Sequence, residues 1–253
     1  MALLEVNDIG VRFGGIIALR DLTFQIKEGQ ILGLIGPNGA GKTTMFNVIS
    51  RVYQPSGGTV TFDGKNLLHA RADNISRFGI ARTFQNLALW ARLSVLENVM
   101  LGAHTQGDKG FLRSALRIGV RSEERRLAMH AYGILDELGL TQYAFQPAAG
   151  LPYGTLKRIE IARALASNPK LLMLDEPAAG LTHSEVDELG DLVKELRDRT
   201  NLTVLLVEHH MSMVMAISDN IVVLDFGAKI AEGVPEEISR NPRVIEAYLG
   251  GAE

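Results

Sequence analysis

Cysteine is absent from the 253 residues, which excludes disulfides, thiolate metal sites and cysteine nucleophiles and fits a reducing compartment. Neither sign of charge dominates. The 26 lysines and arginines face 29 aspartates and glutamates, a net charge of −3, so the chain has no overall attraction for nucleic acid or an anionic membrane. Any anion site must be local. No apolar run reaches the roughly 18 to 20 residues that a bilayer span needs, and Glu5 interrupts a start that lacks a basic region, so neither a membrane helix nor a signal peptide is expected. The expectation is a cytoplasmic chain able to dock on a membrane protein. Low-complexity tracts and internal repeats are missing too, and with 46% hydrophobic and 22% charged residues the composition is that of a folded protein. At roughly 150 residues per domain the length allows one compact unit with a sizeable insertion, or two small units. What is plentiful is glycine, 26 residues, several of them gathered in one short loop.

Residues 1 to 30 read as short strands with turns: LLEVNDI, VRF, a Gly14-Gly15 turn, then LTFQI, an antiparallel edge. The apolar run ILGLI at 31 to 35 meets a glycine-rich loop and then TTMFNVISRVY, a strand-to-helix switch. GGTVTFDG at 57 to 64 reads as a further hairpin strand, and GIARTF at 79 to 84 as a strand or connector. From 86 to about 150 the alternation stops and helical spacing takes over in SVLENVML and RRLAMHAYGILDELGL, a helical insertion. Within it DKGFLRSALRIGVRSEERR reads as a solvated amphipathic helix, the other reading being a docking surface for another protein or lipid heads. From 171 the α/β pattern resumes. LLML and LTVLLV are buried strands; between them Val186, Leu189, Leu192, Val193 and Leu196 form a helical stripe opened by a Thr182 or Ser184 cap. IVVLDFGAKIAEG makes a terminal hairpin and PEEISRNPRVIEAYLG a closing helix.

GPNGAGKTT at 36 to 44 matches the phosphate-loop pattern and sits between a strand and a helix, the context that gives the pattern its meaning. Gly36, Gly39 and Gly41 let the backbone of Gly36, Pro37, Asn38, Gly39, Ala40 and Gly41 wrap a phosphate chain with its N–H groups, and the helix N-terminus adds positive potential. Lys42 would reach the β and γ phosphates. The Thr43 hydroxyl would ligate Mg²⁺, with Thr44 beside it. LLMLDEP places Asp175 and Glu176 at a strand's carboxyl end, where open α/β sheets hold ligands. Asp175 is placed to hold Mg²⁺ through its water shell, and Glu176 to orient and deprotonate an attacking water. The six histidines show no metal-binding spacing, so Glu208-His209-His210 is not read as a metal site.

Taken together, these motifs make the chain similar to the ATP-binding subunit of an ABC transporter, in the family's order over nearly the whole length. The resemblance implies ATP and Mg²⁺ as cofactors and adds further site residues. Phe13 resembles the aromatic that stacks on adenine. Gln85 in RTFQN resembles the glutamine that joins the active site, with its metal, to the helical subdomain. LPYGT, with Pro152, Tyr153, Gly154 and Thr155, occupies the signature position. His209 in VEHH resembles the switch histidine that contacts the γ phosphate, and AAGLT at 178 to 182 the loop after the glutamate. GIARTFQN, LDEPAAGL, VEHHM and VIEAYLG narrow the resemblance to the branched-chain amino acid branch, particularly the larger of its two ATP-binding subunits. Departures from the general pattern are Pro152 for serine, Thr155 for glutamine, and Thr182 and His210 where aspartate is common.

The implied architecture is a single domain, a P-loop α/β core over 1–85 and 161–253 with an antiparallel β element and an inserted helical subdomain over about 86–160. The implied work is ATP hydrolysis in a head-to-tail dimer, each signature facing the other chain's phosphate loop. The implied partners are two membrane permeases, a second ATP-binding subunit or another copy, and an extracytoplasmic solute-binding protein, with the chain peripheral at the cytoplasmic face of the membrane. Two other readings are a soluble ATPase of the same family serving DNA repair or translation, and a non-hydrolysing ATP-dependent dimerisation module. The lack of a second cassette or long coiled coil argues against the first, and intact Lys42, Asp175, Glu176 and His209 against the second.

Overall fold

Alternating apolar residues build the first sheet. The computed structural model, which describes residues 1–83, 87–103 and 120–249, runs β1 (Ala2–Phe13) into β2 (Ile16–Lys27) through the Gly14-Gly15 turn. Leu4, Val6, Ile9 and Val11 point inward with Leu19, Leu22 and Ile26, as a half-buried antiparallel pair requires. The run ILGLI becomes β3 (Ile31–Ile35), buried throughout, and the glycine loop leads into α1 (Lys42–Ile49). This helix ends four residues earlier than its spacing suggests. Arg51 adopts a left-handed φ of 61°, and the N–H groups of Val52 and Tyr53 both turn back to the Asn47 carbonyl, closing the helix. β4 (Gly57–Phe62) and β5 (Lys65–Asn66) complete an antiparallel sheet in the order β2-β1-β4-β5.

GIARTF resolves into a strand, β6 (Ile80–Arg82). The helical stretch follows as α2 (Val95–Ala103), α3 (Val120–Glu137) and α4 (Tyr153–Leu165). Ser94 and Glu97 cap α2 reciprocally, each side chain taking the other's backbone N–H. Of the stretch read as an amphipathic helix, residues 108–119 lie outside the described residues; from Val120 it is helical, with Glu124, Arg125 and Arg126 exposed. Next come β7 (Leu171–Asp175) and α5 (His183–Thr200), whose cap is Thr182 in a capping box with Glu185. Ser184 is already inside the helix. After β8 (Thr203–Val207), α6 (Met211–Ile217), β9 (Asn220–Asp225) and β10 (Ala228–Gly233), the expected single closing helix is two, α7 (Pro235–Ile238) and α8 (Pro242–Leu249). Pro242 has no N–H to continue a helix and opens a new one instead.

The second sheet has the order β10-β9-β3-β8-β7-β6, parallel from β9 to β6 and closed by antiparallel β10. Its central strands bury both faces, which is why they are continuously apolar. Ile31, Ile35, Leu172, Leu174, Val204 and Leu206 face a core shared with α2 to α6. Leu32, Leu34, Leu171, Met173, Leu205 and Val207 face α1 and the antiparallel sheet. Each such side chain contributes roughly 1.5–3 kcal/mol on burial. Because β3, β8 and β7 are adjacent and parallel, the loops after all three open at one edge, the place where such sheets hold ligands. No described helix is long and apolar enough to cross a membrane.

Candidate phosphate-binding and catalytic site

The glycine loop is shaped by close approaches that exclude a side chain at two positions. A Cβ on Gly36 (φ 149°) would lie 2.1 Å from the Leu224 carbonyl, and one on Gly41 (φ 104°) 2.7 Å from the Ala18 carbonyl. The loop is thus wedged between β2 and β9, and the Gly227 N–H donates to the Ala40 carbonyl at 3.1 Å. No side chain caps α1, so its first N–H groups remain available to an anion. Thr43 and Thr44 stand in that first turn.

Lys42 is buried and folds back over the loop, donating to the carbonyls of Gly36 at 2.6 Å and Pro37 at 2.9 Å. Burial depresses its pKa, against the opposing attraction of Glu176 and Asp175. Those carbonyls occupy the ammonium donors that phosphate oxygens would take. At the end of β7, Asp175 is 5% exposed, and its Oδ2 accepts a hydrogen bond from Arg82 Nη2 at 2.8 Å. Thr43 and Asp175 offer only oxygen donors, the chemistry a hard cation such as Mg²⁺ takes.

Glu176 follows at a φ of 48°, unusual for a residue with a side chain. Its backbone N–H is held by the Val207 carbonyl at 2.8 Å, so the strained turn is fixed by β8. His209 Nδ1 lies 3.9 Å from Glu176 Oε2, outside hydrogen-bond range, with its side chain 55% exposed. Lys42, Asp175, Glu176 and His209 therefore gather at one sheet edge from three different strands.

Phe13 ends β1, 46% exposed, with its ring 5.0 Å from that of Tyr53 in an edge arrangement. It pairs with Ile16 across the hairpin, two residues before the Ala18 carbonyl that abuts Gly41. The signature residues have other neighbours. Pro152 is the residue before α4, with no side-chain capping bond. The Tyr153 ring sits 5.7 Å from Lys157 Nζ, and a Cβ on Gly154 would meet Glu185 Oε1 at 2.7 Å. Thr155 and Leu181 line a small cleft of about 110 Å³ beside them. Gln85 lies outside the described residues.

Three residues at the site carry no signal that sequence reasoning picks up. Arg82 sits in a segment that reads only as strand or connector. Glu208 reads as no more than a neighbour of its histidines; buried completely, it accepts from the Ala178 N–H at 2.7 Å, the His209 N–H at 2.8 Å and the His210 N–H at 3.1 Å. His210 Nδ1 sits 3.0 Å from the same carboxylate, so although the three groups lie within 4.8 Å of one another, the carboxylate is engaged by N–H donors. Tyr248 on α8 comes near the backbone of Gly36, and partial desolvation pushes its phenol up to about 12 against the opposing pull of that backbone. The sequence displays only a carboxylate next to a histidine pair, and a tyrosine near the chain's end.

Comparison with known proteins gives the family and the fold. A family model described as ABC transporter covers residues 19–179, and one described as branched-chain amino acid ATP-binding cassette transporter covers residues 228–253. The chain is 44% identical over 251 residues to the high-affinity branched-chain amino acid transport ATP-binding protein BraF of Pseudomonas aeruginosa, spanning 99% of this chain and 98% of that one. It is 42% identical, over the same shares, to LivG of Escherichia coli. Among solved structures, the ADP conformation of an ATP-binding cassette of an ABC transporter superposes with a TM-score of 0.87 at 31% identity, over 99% of both chains. A dimeric cassette in a post-hydrolysis state bound to ADP and Pi gives a TM-score of 0.76 at 26% identity, over 92% of this chain and 98% of that one.

Proposed function

The chain belongs to the ABC transporter family of ATP-binding proteins, and from that premise we propose that it binds and hydrolyses ATP to drive uptake of branched-chain or related amino acids. The observation that carries the reading is the convergence of Lys42, Asp175, Glu176 and His209 beside the glycine loop, on a chain with relatives named for branched-chain amino acid transport over its full length. Lys42 exchanges its two loop carbonyls for phosphate oxygens, joined by backbone N–H groups of residues 38–41 and the start of α1. Phe13, with Tyr53 against its edge, stacks on the base. Thr43, Asp175 and, by resemblance, Gln85 would hold Mg²⁺, which would neutralise charge on the phosphates. Glu176 takes the proton of the attacking water, and His209 is oriented toward the γ phosphate by the loop that Glu208 fixes.

Residues 152–155 serve a second cassette. By resemblance they complete the partner's site in a head-to-tail dimer, a reading supported by the dimeric cassette among the solved structures that this chain is similar to. The partners in this reading are that second cassette, two membrane permeases and an extracytoplasmic solute-binding protein, with this chain peripheral at the cytoplasmic face. A single domain, with core 1–85 and 161–253 and a helical part over about 86–160, belongs to the same proposal; α2 to α4 are the helices concerned, and residue 160 falls within α4.

The test is reconstitution with the permeases and solute-binding protein in vesicles, measuring phosphate release and labelled-leucine uptake together. Wild type should show both. Glu176→Gln should keep ATP binding and lose roughly 10²- to 10⁴-fold in hydrolysis at this site. Hydrolysis without uptake of any branched-chain amino acid would overturn the transport assignment, and unimpaired turnover in Glu176→Gln the assignment of the base.

A further inference from the structure

Arg82 has no part in the chemistry above, yet it touches the centre of it. The guanidinium, its side chain 13% exposed, bonds Asp175 Oδ2 at 2.8 Å from one nitrogen. Its other terminal nitrogen donates to Asn47 Oδ1 at 2.8 Å and Ser50 Oγ at 3.2 Å. Its face lies 5.4 Å over the ring of Phe46. Asn47 and Phe46 belong to α1, the helix that starts with Lys42, so one side chain ties the end of β7 to the helix behind the phosphate loop. A guanidinium cannot discharge, and a carboxylate as buried as Asp175 is costly unless paired.

We propose that Arg82 is the resident counter-ion of Asp175, standing in for the metal whenever nucleotide is away, so that Mg²⁺ enters with the nucleotide and not ahead of it. This rests on the assignment of Asp175 to Mg²⁺. Among the described residues around Asp175 the charges balance without metal: Lys42 and Arg82 face Asp175 and Glu176, while the buried carboxylate of Glu208 is spent on the N–H groups of Ala178, His209 and His210. A divalent ion arriving alone meets a neutral cluster in which one oxygen of Asp175 is already engaged, and the nearby ammonium repels it. An ion arriving with ATP brings phosphate oxygens as ligands and draws Lys42 to the phosphates. Arg82 is accordingly a positioning residue that acts through Asp175.

Removing only Arg82 leaves the cluster with an excess negative charge, which should let Mg²⁺ alone bind. The experiment is thermal melting of the nucleotide-free chain with and without about 10 mM Mg²⁺, for wild type, Arg82→Gln, Arg82→Met and Arg82→Gln/Asp175→Asn. The methionine variant keeps an apolar stem on Phe46, so the answer does not hang on how well one variant folds. Wild type should not respond to Mg²⁺ alone. Either single variant should melt lower than wild type and rise by about 2 to 5 °C with Mg²⁺, for a site of about 1 mM affinity. The double variant should lose that rise. Single variants as indifferent to Mg²⁺ as wild type, or a rise that survives in the double variant, would overturn the proposal. Stabilisation of wild type by Mg-ATP is measured in parallel; its absence would count against the nucleotide site itself and is read separately.

Discussion

The carboxylate of Glu208, its side chain without access to solvent, accepts the backbone N–H of His209 at 2.8 Å. The same carboxylate accepts the Ala178 N–H, so the loop after Glu176 and the loop carrying His209 share one buried anchor. Replacing Glu208 with glutamine puts an amide, itself a donor, where one accepting oxygen stood. At least one buried N–H then loses its acceptor, at a cost of roughly 1–3 kcal/mol. Chemical denaturation of Glu208→Gln should show that loss, with hydrolysis reduced as His209 is released. Stability within about 0.5 kcal/mol of wild type would mean that the anchor is dispensable.

Lys42 sets a pH dependence with a definite sign. Its pKa is depressed from 10.5, chiefly by burial, so in the lower part of the pH range the folded chain carries the full cost of a charged, desolvated amine. As pH rises from the depressed value towards 10.5, the folded state holds fewer protons than the unfolded state and stability increases. Melting temperatures of wild type relative to Lys42→Met should therefore rise as the pH is raised towards 10.5. A flat or falling difference would contradict the burial argument. The variant should also lose its response to Mg-ATP.

Phe13 and Tyr53 form one aromatic unit, so both should matter to the base and neither to the chemistry. Truncating Phe13 to alanine should raise the KM for ATP several-fold at unchanged kcat, in line with about 0.5–1.5 kcal/mol for an aromatic contact. Tyr53→Ala should give a smaller rise, since its ring braces Phe13 by its edge. A fall in kcat with KM unchanged would place the pair elsewhere in the mechanism.

Pro152 supplies neither a hydroxyl nor an N–H at the start of α4, and Thr155 is shorter than glutamine, while the Gly154 N–H and the helix N-terminus remain for the anion. Restoring Pro152→Ser and Thr155→Gln together should act in trans. In mixed dimers with one phosphate-loop lysine replaced at a time, only the site built on the partner's lysine should speed up, by up to about tenfold for one charged hydrogen bond of about 1.4 kcal/mol. Equal acceleration at both sites, or acceleration only at the Lys42 site, would refute the head-to-tail pairing.

What could be read directly from the chain was whatever is encoded within a few consecutive residues. Gly36, Gly39, Gly41 and Lys42 follow an apolar strand and open a helix, and Asp175 and Glu176 end another; strand, loop and helix are local and their chemistry travels with them. The folded chain decided the rest. Arg82 meets Asp175 across 93 positions, because β6 pairs with β7 and sets Arg82 opposite Met173. Glu208 reaches Ala178 because β8 lies beside β7, and Tyr248 comes near Gly36 only once α8 has packed back toward the loop. None of these pairs leaves a spacing in the sequence. Each partner is a common residue type in an ordinary setting, and what makes it part of the site is desolvation and proximity, which exist only after parallel strands have brought distant segments to the same edge.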